Sequence, residues 1–84
     1  MNTKLLYDAR AEALFVSDLQ PSQRLTQLSV RNAIARSIRS HGSRGCAALV
    51  ALEYGEHPDT AVRRMIWART AVELFTAHAQ VFAA

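Results

Sequence analysis

The sequence predicts an all-α domain. Apolar residues recur at three- and four-residue spacing along most of the chain, the period of an amphipathic helix. No segment alternates apolar and polar residues as a half-buried strand would. Helix punctuation falls between the periodic runs, at Thr26, at Gly42-Ser43, and at Gly55 followed by Pro58. These breaks divide the 84 residues into four expected helices of one small domain, residues 1–84, ending in a helix-turn-helix-like pair with a long C-terminal helix.

The first helix is expected from Thr3 to about Val16, with Leu6, Ala9, Ala13 and Val16 as its apolar stripe and Leu5 and Phe15 widening it. Asp8 and Glu12 share a face four residues apart. With no histidine or third carboxylate beside them, they read as an exposed polar face. Ser17 to Leu25 is a connector, held extended or turned by Pro21. Thr26 should cap a second helix whose apolar face is Val30, Ile34 and Ile38, helped by Leu28 and Ala35. Arg36 and Arg39 then fall in its last turns, where cations complement the helix dipole.

Gly42 should stop that helix and Ser43 cap a third, which runs to Tyr54 and buries Cys46, Leu49, Val50 and Tyr54. Gly55 is expected outside both flanking helices, and Pro58 at the first position of the fourth, where its missing N–H costs nothing. The fourth helix runs towards Phe82 and carries Ala61, Met65, Ala68, Val72, Phe75, Ala79 and Phe82 at four-three spacing. A second stripe of Val62, Ile66, Leu74 and Val81 lies beside it, so one stripe can face the core and the other a partner chain. Val72, Phe75 and Phe82 are the expected dimer-interface residues. Ala83 and Ala84 should fray.

Half the residues are apolar, but many are alanine, so the core is lean and burial between two chains would add to it. Charge is uneven. From Gln20 to Leu52 there is no acid, only Arg24, Arg31, Arg36, Arg39 and Arg44, whereas the flanks carry all seven acids. A basic middle suits a phosphate backbone or an acidic protein surface. The single cysteine, Cys46, excludes an internal disulfide framework and fits a reducing compartment. Met1 to Leu6 does not open as a leader, and the longest apolar run, Cys46 to Leu52, is too short to span a bilayer. The expectation is a soluble cytoplasmic chain with no membrane partner.

No Gly-rich phosphate loop, G-x-S-x-G elbow or Cys-x-x-Cys pair occurs, and His41, His57 and His78 are scattered. Glu53-Tyr54-Gly55-Glu56-His57 sets two carboxylates near a histidine, but the expected helix break between them should keep the ligands apart. No catalytic residue, metal or cofactor is therefore expected.

Val50-Ala51, Gly55, Pro58, Thr60 and Arg63 together resemble the helix-turn-helix of many bacterial regulators and resolvase-like proteins. The resemblance implies that Thr60, Arg63, Arg64 and Trp67 lie on or near the exposed face of the second helix of the pair. Arginine would then contact guanine or phosphate, and Thr60 a phosphate or thymine methyl. Arg24, Arg31 and Arg36 would add sequence-independent affinity. Glu56 departs from the pattern, standing where an apolar residue usually seals the two helices. Glu56 and Asp59 also put negative charge at the end that would enter a groove. The segment from Glu53 to Pro58, with Arg64-Met65-x-Trp67-Ala68-Arg69, also looks like a group of small actinobacterial helical proteins, a likeness that transfers no functional residues. Two functions fit these readings. One is a non-enzymatic, homodimeric regulator binding DNA through Thr60, Arg63 and Arg64 with Arg31 and Arg36. The other is a protein-interaction module using the apolar C-terminal helix or the basic face.

Overall fold

Local capping decides where the helices begin. A computed structural model describes residues 3–77, all of whose regular structure is helical. Helix α1 covers Thr3–Phe15, α2 Gln27–Glu56 and α3 Pro58–Val72, with a π-helical turn at Glu73–Ala77. Thr26 caps α2 as expected: its hydroxyl accepts from the Ser29 N–H at 3.0 Å, and the Ser29 hydroxyl accepts from the Thr26 N–H at 2.9 Å. Pro58 begins α3, with Asp59 in its first turn.

The helix count is three, not four. Gly42 does leave helical geometry as expected, at φ 70° and ψ 167°, but the helical segments on its two sides join across a kink there, so α2 counts as one element. Gly42 is the one described residue with positive φ, which a Cβ would strain although nothing else lies within 4 Å of that position. Arg36 and Arg39 thus fall in the last two turns before the kink, as expected. Gly55 also lies inside α2, correcting its expected place in a turn. His57 alone separates the helices: at φ −139° its N–H closes α2 on the Glu53 carbonyl at 2.7 Å, and its carbonyl opens α3 by accepting from Ala61 at 2.8 Å. The α-helix that follows passes at Val72 into the π-helical turn Glu73–Ala77, and the rest of the expected run, with Ala79, Val81 and Phe82, lies outside the described residues.

Ala11, Leu14, Phe15, Val30, Ala33, Val50, Ala61, Met65, Ala68, Ala71 and Val72 form one core drawn from all three helices. Alanines at several contact points let the helices approach closely, at the cost of little buried area each. In α2 the buried face is Val30, Ala33 and Ser37. Ile34 is half-buried, and Leu28, Ala35 and Ile38 are exposed, so the face is rotated from the expected one. Cys46 is fully buried beyond the kink, where its thiol donates to the Ser37 carbonyl at 3.7 Å. Leu49 is half-buried, and Tyr54, 37% exposed, covers much of its ring by stacking on Phe15 with ring centroids 6.2 Å apart. Helices α1 and α3 run antiparallel: the Tyr7 hydroxyl donates to the Arg69 carbonyl at 3.1 Å, while Arg64 meets Phe15 at the other end.

Candidate functional site

The residues singled out around the α2–α3 junction separate into three groups. Arg64 turns inward. Its Nε donates to the Phe15 carbonyl at 2.6 Å, and its Nη2 to the carbonyls of Ser17 and Leu19 at 3.0 and 2.9 Å. These oxygens belong to the end of α1 and the strap after it, where a helix leaves carbonyls without intrahelical partners. The guanidinium also sits over the Phe15 and Trp67 rings, 5.8 and 4.7 Å from their centroids. Burial lowers its pKa from the ordinary arginine value. Arg64 therefore ties α1, the connector and α3 together, and its hydrogen-bonding fork is turned to the protein's own carbonyls rather than outward to a duplex.

Thr60 and Arg63 are exposed and line an open groove of about 440 Å³ with Gln20, Pro21, Arg64 and Trp67. The Arg63 side chain makes no hydrogen bond or ion pair among the described residues. On α2, Arg31 is exposed, but Arg36 reaches across to Asp18 with a 3.1 Å ion pair and neither lines this groove. Arg24, Arg31, Arg39 and Arg44 are each exposed. A second cavity, of about 390 Å³, lies beside the Arg64 clamp and is lined in part by Phe15, Leu49 and Glu53.

The two apolar stripes of α3 divide between core and solvent. Ala61, Met65, Ala68 and Val72 face inward, and Phe75 is half-buried against them. Val72, only 1% exposed, is thus occupied by the chain's own core and has no surface to offer a second chain. The other stripe stands open: Val62 is 47% exposed, Ile66 61% and Leu74 62%. Near it Arg69 pairs with Asp8 at 3.6 Å and lies 5.7 Å from the Tyr7 ring centroid, which places Asp8 in a contact between helices rather than on a bare polar face.

The third group is one the expected helix break hid. Because α2 runs through Gly55 to Glu56, Glu53 and His57 fall one turn apart with Glu56 beside them. One ligand atom from each lies within 4.8 Å of the others. The E-x-x-E-H spacing carried that signal, but only for a helix that continues through the glycine.

Compared with family models, curated proteins and solved structures, the chain finds no match, so its resemblances rest on the residues quoted for them. No helix among the described residues is long and apolar enough to cross a membrane.

Proposed function

We propose that this chain is a non-enzymatic protein-interaction module whose docking surface is the outward face of α3, and that the first occupant of that face is a second copy of the chain. The observation that carries the reading is the exposure of Val62 and Ile66, one turn apart, on a helix whose opposite face is already packed. Apolar groups left in water at adjacent positions favour burial against a partner. The face is self-complementary. Antiparallel pairing about a two-fold axis sets Val62 of one copy opposite Ile66 of the other, and Asp59 opposite Arg69, so each contact recurs on both sides of the axis. Arg69 keeps about half its side chain exposed even in its pair with Asp8.

Sedimentation over a concentration series tests this. The wild type should pass from monomer to dimer, and Ile66→Glu should remain a monomer with its helical circular dichroism unchanged. A wild type that stays monomeric up to millimolar concentration refutes self-association.

DNA binding is the second reading, favoured by the exposure of Arg24, Arg31, Arg39 and Arg44 on an acid-free stretch. It gives Thr60 and Arg63 the contacts at the groove and leaves Arg64 a structural role. Its signature is steep loss of affinity for duplex DNA as salt rises, through counterion release. Flat titrations at low salt exclude it.

A further inference from the structure

We propose that Glu53, Glu56 and His57 form a site for a divalent transition-metal ion of the zinc class at the α2–α3 junction. The donor set is one imidazole nitrogen and two carboxylate oxygens, all within 4.8 Å of one another. Magnesium and calcium favour sets made only of oxygen, whereas an imidazole shifts preference to zinc, nickel or copper. An ion about 2.1 Å from each of three ligands in tetrahedral geometry needs donors about 3.4 Å apart. Modest side-chain rotation closes that gap. None of the three side chains has a hydrogen bond or ion pair to break first among the described residues.

The electrostatics of the junction point the same way. The C-terminal end of α2 presents carbonyl dipoles that favour a cation, yet its last turn holds no basic residue and carries both carboxylates. Arg64, which lines the same cavity as Glu53, directs its donors to Phe15, Ser17 and Leu19 instead. Two uncompensated carboxylates at a negative helix end repel each other, and a divalent ion removes the repulsion. Three protein ligands leave at least one coordination position for water.

Calorimetric titration of the intact, tag-free chain with zinc chloride tests the site, with cobalt absorption as a second readout of imidazole and carboxylate ligation. The expected result is saturable binding of one equivalent and a zinc-dependent rise in melting temperature. Glu56→Gln and His57→Ala should each weaken binding about tenfold or more, while His41→Ala leaves it unchanged. His57→Ala alters the junction itself, but Glu56 is exposed, so Glu56→Gln separates loss of a ligand from loss of fold. Absence of saturable binding, or binding that survives both Glu56→Gln and His57→Ala, overturns the proposal.

Discussion

Arg64→Ala should be the most damaging single change at the surface of this domain. It removes three hydrogen bonds, at 2.6, 3.0 and 2.9 Å, and two ring contacts. A hydrogen bond to a charged group contributes about 1.5–3 kcal/mol net, and a partly exposed cation–ring contact about 0.5–1 kcal/mol. The three bonds share one half-buried guanidinium, and water can reach some of the released carbonyls, so their worth is well below the plain sum. The expected loss is about 2–4 kcal/mol, against roughly 4–13 kcal/mol for a domain of this length. In melting temperature that is a fall of roughly 10–25 °C. Arg64→Lys keeps the charge, but a single ammonium cannot span carbonyls spread over Phe15, Ser17 and Leu19, so it should recover less than half the loss. Urea and thermal unfolding followed by circular dichroism supply the assay. An Arg64→Ala protein within about 0.5 kcal/mol of wild type, or a lysine that restores full stability, would refute the clamp.

Gly42→Ala should destabilise by about 1–2 kcal/mol, because a Cβ disfavours the positive φ of the kink even with space around it. A higher melting temperature would instead show that α2 can straighten there without loss of packing. Burial, and then the charge of Glu12, raise the Cys46 pKa. The fold therefore favours the protonated thiol: this contribution is fully present below the unfolded thiol's pKa and is lost as pH rises through the higher folded value. Native Cys46 should resist iodoacetamide at neutral pH and react once the chain unfolds. Rapid alkylation of the folded protein at neutral pH would contradict its burial.

Local chemistry made much of this fold legible in the sequence. The Thr26 cap, the start of α3 at Pro58 and the departure of Gly42 from helical geometry depend on groups a few residues apart, within reach of pattern alone. The two stripes of α3 follow from helical periodicity in the same way. Which stripe faces inward does not, because it depends on how α1 and α2 pack against that helix. Tertiary packing thus took Val72 into the core and left Val62 and Ile66 in water. The last turn of α2 also continues past Gly55 to Glu56, where the glycine alone suggested a stop. That continuity, rather than the residue types, brings Glu53, Glu56 and His57 together. Arg64 shows the limit most clearly. Beside Arg63 it is an indistinguishable second arginine, but its partners lie 45 to 49 residues away along the chain. Only the close approach of the end of α1 to α3 decides that its guanidinium turns inward, because carbonyls left unpaired at a helix end and shielded from water need a donor.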